Sequence, residues 1–193
     1  MPPSLDPYTY PGTEVLRNLL DIREPARLAA FEANETAARL IELSVKPTTG
    51  GFDAPHLRAI HRHIFQDVYA WAGSFRTVNI AKGGHLFAAA AFIESALEEV
   101  AAKLRREGYL QGLQATAFAV RSGYYLAEMN AIHPFRDGNG RAQRELVREL
   151  AAERGFSIDW RRVTRGEMIA ASLESFQTGN SMAMAALIVA AMR

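Results

Sequence analysis

The 193-residue sequence contains no cysteine, which excludes a disulfide framework and any thiolate-bound metal and fits a reducing compartment. Long apolar runs are missing too. The most hydrophobic window, Met182 to Met192, is about half of the roughly 20 residues that span a bilayer, and it reads as a buried C-terminal helix over 180–192. The start, Met1-Pro2-Pro3-Ser4-Leu5-Asp6-Pro7, has neither the basic residues nor the apolar run of a signal peptide. Charge of one sign is also lacking: 22 Lys plus Arg face 21 Asp plus Glu, a formal net charge of +1. Nothing global therefore draws the chain to nucleic acid or an anionic membrane. No low-complexity tract or solenoid-length repeat divides it. These absences predict one cytoplasmic globular domain over 1–193, with no membrane and no direct nucleic acid among its partners.

What is present reads as helix. Residues 1–12 mix Pro, Tyr and Gly without period and form an irregular N-terminal arm. Thr13, as N-cap, and Glu14 then open a first helix with Val15, Leu16, Leu19 and Leu20 apolar. A second covers 24–44 and ends at Lys46-Pro47 and Gly50-Gly51. A third starts at the N-cap Asp53 with Pro55 just inside and runs to the break at Trp71-Ala72-Gly73. Further helices are predicted at 90–106, 113–132, 141–153, 166–176 and 180–192. In the 113–132 segment Phe118, Ser122, Tyr125, Met129 and Ile132 form one core-facing stripe.

One segment breaks the helical pattern. Phe75 to Phe87 is short-period and β-branched, with Gly83-Gly84 as its turn. It predicts a lone β-hairpin that needs the helical body for support, because two strands are marginal alone.

Chemistry concentrates in the next loop, His133-Pro134-Phe135-Arg136-Asp137-Gly138-Asn139-Gly140-Arg141. Pro134 disfavours an α conformation at His133, so the preceding helix stops there and presents an imidazole, the side chain suited to take a proton near neutral pH. Asp137 is a single hard carboxylate of the kind that holds Mg²⁺ together with water and phosphate oxygens. Gly138-Asn139-Gly140 opens a new helix whose free N–H groups and dipole favour an anion, most simply a phosphate. Arg141 and Arg144 stand one turn apart in a first turn where cations are unfavourable unless something negative is bound beside them. The aromatic bulk of Phe135 suits the core. Glu145, Glu149 and Glu153 alternate with Arg148 and Arg154 as a solvated face. His61-Arg62-His63 suggests a metal, but residues two apart on a helix point away from each other. There is no Walker loop and no dinucleotide fingerprint.

The run His-Pro-Phe-Arg-Asp-Gly-Asn-Gly-Arg-Ala-Gln-Arg, His133 to Arg144, matches every defined position of H-P-F-x-D/E-G-N-G-R-x-x-R, and so resembles the motif of the Fic (filamentation induced by cAMP) family. Phe75-Arg-Thr-Val-Asn-Ile-Ala-Lys-Gly-Gly resembles the family's flap, and Tyr10-Pro-Gly-Thr-Glu-Val-Leu-Arg-Asn the N-terminal region of short Fic toxins. The resemblance implies an all-α Fic-type helical bundle with one β-hairpin flap over 75–87. It implies a protein adenylyltransferase that moves AMP from ATP to a Ser, Thr or Tyr hydroxyl. In that reading His133 is the catalytic base and Asp137 the Mg²⁺ ligand. Gly138, Asn139 and Gly140 cradle the α and β phosphates, Arg141 meets the β-phosphate and Arg144 the γ-phosphate. Lys82 and Gly83 in the flap touch nucleotide or target.

Inhibited Fic proteins carry Ser/Thr-x-x-x-Glu-Gly/Asn on a helix. Here only Ser95 to Glu99 has the step, and Val100 follows where Gly or Asn is wanted. The resemblance therefore implies a separate small antitoxin whose glutamate meets Arg144. The target docks on the flap, with the ATPase subunits of gyrase or topoisomerase IV as the expectation for this toxin type. The alternatives are transfer of UMP, phosphocholine or phosphate, the last disfavoured because its family branch has Lys where Gly140 stands, and a non-enzymatic interaction module.

Overall fold

The computed structural model describes residues 6–82 and 84–193. Seven α-helices form its body: α1 (Pro25–Val45), α2 (Ala54–Phe65), α3 (Ile93–Arg106), α4 (Ala115–Ile132), α5 (Asn139–Glu153), α6 (Arg165–Thr178) and α7 (Met182–Ala191). One antiparallel hairpin, β1 (Ala81–Lys82) and β2 (His85–Leu86), pairs Ala81 with Leu86 and Lys82 with His85. This is the expected all-α bundle with a single hairpin. The turn residue Gly83 and arm residues 1–5 lie outside the described residues.

Local chemistry accounts for the helix starts. Pro25 begins α1 where its missing N–H costs nothing. The Asp53 carboxylate accepts the His56 amide at 3.0 Å and caps α2. Thr164 and Glu167 close a reciprocal capping box at α6.

Helix α4 runs through the middle of the bundle and packs against α3, α5, α6 and α7. Its stripe Phe118, Ser122, Tyr125, Met129 and Ile132 is buried throughout. Gly123 lets α7 come close, since a Cβ there would sit 2.6 Å from the Ala185 amide nitrogen. The C-terminal helix buries Met184, Ala185, Ile188 and Ala191.

Helix α2 stops at Phe65, short of the predicted break at Trp71, with the Val68 and Tyr69 amides both turned onto Phe65 O, and two expectations fail outright. Residues 13–20 form no helix. The Tyr10 amide donates to Val15 O at 3.0 Å and the Arg17 amide to Tyr8 O at 2.8 Å, while Thr9 and Leu16 make an antiparallel bridge. Thr13 serves that turn by donating to Tyr10 O, and caps nothing. Val15 and Leu16 are half-buried against the core while Leu19 and Leu20 are exposed, so the four apolar residues do not share one buried helical face, and helical period without a continuous burial partner does not stabilise a short helix.

The supposed solvated face of α5 is the second failure. Glu145 and Glu149 are buried, and each is fully engaged. Arg148 forks onto Glu145 at 2.6–3.0 Å. Glu149 accepts the Thr48 amide at 3.1 Å, the Thr48 hydroxyl at 3.0 Å and His56 Nε2 at 2.8 Å. Because His56 Nδ1 accepts the Phe52 amide, Nε2 carries the proton and donates to the carboxylate. This polar cluster clamps the 46–53 loop onto α5. Alternating charge along a helix does not say which charges a neighbouring loop will cover.

Candidate active site

The site lies where α4 ends and α5 begins. His133 takes a left-handed conformation, φ 50° and ψ 62°, and so ends α4 as Pro134 demanded. Its Nδ1 lies 3.2 Å from Asn130 O. A carbonyl only accepts, so Nδ1 carries the hydrogen and Nε2 keeps a free lone pair. The imidazole lies flat on Phe87, centroids 3.9 Å apart and planes 16° apart. Burial pushes its pKa down to about 4, helped by the positive charges of Lys82 and Arg76 and opposed by Asn130 O and Asp137. At neutral pH the group is an uncharged base.

The loop from Phe135 to Gly138 is held from within and from below. Asn139 closes it with two hydrogen bonds of 2.8 Å, donating from Nδ2 to Phe135 O and accepting the Phe135 amide on Oδ1. Phe135 is fully buried, as its bulk suggested. His61 stacks between Phe135 (3.8 Å) and Phe65 (4.6 Å). Its Nδ1 accepts the Gly73 amide and its Nε2 donates to Asp137 O at 3.0 Å. Burial lowers its pKa to about 4. This histidine supports the loop from α2, a role that the metal reading of His61-Arg62-His63 does not describe.

Gly138 then turns the chain into α5 with φ 79°. A Cβ there would overlap the Phe65 ring and lie 3.1 Å from His61 Nε2, so the position needs glycine for both conformation and space. Among the described residues the Gly138, Asn139 and Gly140 amides donate to nothing in the chain, which leaves a row of donors at the positive end of α5.

Four arginines near this helix start meet different fates. Arg136 pairs with Asp6 of the arm at 2.8 Å. Arg141 lies over the Phe65 ring and pairs with Glu32 of α1 at 2.6 Å, with Thr36 beside it. Arg148 pairs with Glu145. Among the described residues only the Arg144 guanidinium of these four has no carboxylate or hydrogen-bond partner. Burial and the nearby Arg141 charge lower its pKa, and its backbone carbonyl is fixed by the Trp160 indole at 2.9 Å. The four arginines thus leave one partly buried cation without a partner among the described residues, beside a row of free amides.

Asp137 keeps its carboxylate about half exposed, 4.0 Å from Arg141. Among the described residues no cluster of three or more His, Cys, Asp or Glu side chains forms around it. One hard oxygen donor with open space suits Mg²⁺, which takes its other ligands from water and phosphate. Lys82 is exposed on β1, near enough for its charge to act on His133. Gly83 lies outside the described residues. A cleft of about 720 Å³ opens behind the flap against Phe87, Ala88, Ile132, Lys103 and Tyr124.

Residues 51–151 match the Fic/DOC family. The chain belongs to the Fic/DOC family. It is 48% identical to the protein adenylyltransferase VbhT of Bartonella schoenbuchensis over 185 residues, covering 96% of this chain and 38% of VbhT. A Fic protein of Escherichia coli is 39% identical over 160 residues, 83% of this chain and 79% of that protein. Among solved structures, the N-terminal Fic domain of a Bartonella quintana effector with bound ADP superposes with a TM-score of 0.92 at 30% identity, covering 96% of this chain and 94% of the other. BepC of Bartonella tribocorum with bound AMPPNP superposes with a TM-score of 0.91 at 28% identity and 96% coverage of both. The chain spans less than two fifths of the length of VbhT.

Glu32, His61, Arg76 and Phe87 are the supporting residues that motif reading missed. Phe87 sat at the end of the hairpin segment, and only its contact with His133 shows its use.

Proposed function

We propose that the protein is a protein adenylyltransferase. The observation that carries the reading is His133: a half-buried imidazole, neutral at pH 7, its Nε2 free among the described residues, near a row of amides and an Arg144 guanidinium that likewise have no partner among them. The nucleotide-bound Bartonella structures and the name of VbhT support the same reading.

In the reaction His133 Nε2 takes the proton of a target Ser, Thr or Tyr hydroxyl as that oxygen bonds to the α-phosphorus of ATP. The bond from the α-phosphorus to the bridging oxygen breaks, pyrophosphate leaves, and AMP stays on the target as a phosphodiester. The amides of Gly138, Asn139 and Gly140 bind the phosphate oxygens, and Arg144 meets the γ-phosphate. Arg141 serves the β-phosphate from a position already fixed by Glu32. Asp137 is the residue that would hold Mg²⁺, which neutralises phosphate charge when bound. Positioning and charge neutralisation supply most of the acceleration in such transfers.

The flap carries the target. Its β edge offers backbone donors and acceptors to an extended segment, and Phe87 links that edge to the base. A small antitoxin that places a glutamate against Arg144 would inhibit the protein, since no other carboxylate engages this guanidinium among the described residues. No helix among them is long and apolar enough to cross a membrane.

Cell lysate incubated with ATP labelled at either the α or the γ phosphate tests the reading. Protein labelling from the α position alone, lost in His133→Ala, is the expected result; labelling from the γ position, or labelling that survives the substitution, overturns it.

A further inference from the structure

Arg76 stands at the foot of the flap and its side chain is buried, 2% exposed, which is unusual for a cation without a carboxylate partner. Among the described residues it has none. Its guanidinium is satisfied by backbone carbonyls alone. Nε donates to His133 O at 2.8 Å, Nη1 to Val78 O at 2.7 Å, and Nη2 to Ala88 O and to Ile132 O, the latter at 3.2 Å. These four carbonyls come from three places: the rising leg of the flap, its returning leg, and the last residues of α4 with the base itself.

The charge is tolerated because Ile132 O and His133 O are the negative end of α4, where a cation is favoured. The planar fork matters as well, since five fixed donors can serve four carbonyls in different directions and a lysine ammonium cannot. Two backbone bonds run alongside, Arg76 N to Pro134 O at 2.9 Å and Ala88 N to Ala131 O at 3.2 Å. They bring the legs to α4 but leave Val78 untethered.

We propose that Arg76 is a positioning residue that locks both legs of the flap to the end of α4, so that the target-bearing edge and the His133 imidazole keep one register. The role rests on the adenylyltransferase reading, but the lock itself is a physical claim about the flap. None of the four carbonyls that Arg76 holds belongs to the amide row or to Arg144, so nucleotide binding should not depend on it. Register between flap and base should.

Arg76→Gln and Arg76→Lys test this through three measurements: amide hydrogen exchange, AMPPNP affinity by calorimetry, and label transfer from α-labelled ATP to lysate proteins at varied ATP. In Arg76→Gln the Phe87 and Ala88 amides should exchange at least tenfold faster, while amides of α5 and α7 keep their protection. AMPPNP affinity and the apparent KM for ATP should stay within threefold, and the rate at saturating ATP should fall at least tenfold. Arg76→Lys should recover part of that rate, because it keeps the charge at α4 without spanning both legs. Unchanged flap exchange overturns the lock. So does a loss of AMPPNP affinity and α7 protection in parallel with the rate, which would make Arg76 a general support of the fold. A wild-type protein that transfers no α label defeats the adenylyltransferase reading instead, and the exchange data still decide the lock.

Discussion

Phe87 and His133 lie face to face, 3.9 Å between ring centroids and 16° between planes. The flap residue covers one whole face of the imidazole, and burial holds the base near a pKa of 4. The hairpin therefore shields the imidazole that we propose as the base, in addition to the docking edge proposed for it.

Removing the cover gives the first prediction. In the wild type, protonation of His133 should not limit transfer between pH 7.5 and pH 5.5. Phe87→Ala exposes the ring to water and returns its pKa toward about 6.5. The neutral fraction then falls about tenfold over that interval, and transfer should fall with it. Pulse-labelling rates at the two pH values measure this. Parallel profiles for the two proteins would show that Phe87 does not desolvate the base.

Gly138→Ala should be damaging for two additive reasons. The φ of 79° disfavours any Cβ, at about 1 kcal/mol, and the new methyl overlaps Phe65 and crowds His61, which adds roughly 1–3 kcal/mol of overpacking. The loop must shift to relieve the overlap, and that displaces the free amides. Both the unfolding midpoint and AMPPNP affinity should drop. Full affinity in a folded Gly138→Ala protein would mean that these amides do not bind the phosphates.

The motif loop was legible because its chemistry is local: a proline after a histidine, glycines before a helix, arginines one turn apart. The residues that hold it in place were not. Glu32 reaches Arg141 across 109 positions, His61 reaches Asp137 across 76, and Arg76 reaches His133 across 57. Nothing in a periodic pattern reports such pairs, which exist only once the helices have packed. The same cause explains the missed helix at 13–20 and the misread face of α5. Apolar or charged spacing announces a possible surface, and tertiary contact decides whether it is used.

The cluster of Thr48, His56 and Glu149 supplies a control away from the chemistry. His56→Ala removes the ring that both fills the space under Gly50 and donates to a buried carboxylate. Leaving the buried carboxylate short of that donor costs roughly 1–3 kcal/mol, and the space the ring vacates adds to the cost. Denaturant unfolding should show a loss of that order, with the transfer rate per folded molecule unchanged within about twofold. An equal loss of rate at full folding would tie this clamp to the active site.

Acid stability follows from the two histidines whose pKa the fold lowers. His61 and His133 fall from 6.5 in the open chain to about 4 in the fold. Between these values the unfolded chain binds a proton on each ring that the folded protein refuses, so the unfolded state gains as pH falls. The stabilisation is complete above pH 6.5, declines through the window and is lost below about 4. At about 1.4 kcal/mol per pH unit, each ring contributes on the order of 3 kcal/mol across it. Urea unfolding at intervals from pH 7 to pH 4.5 should show that decline, and the slope near pH 5.2 should be smaller by about one proton in His133→Asn. If the two slopes are equal, water reaches the imidazole in the folded protein, and the neutral base at the centre of the proposed mechanism would need another source.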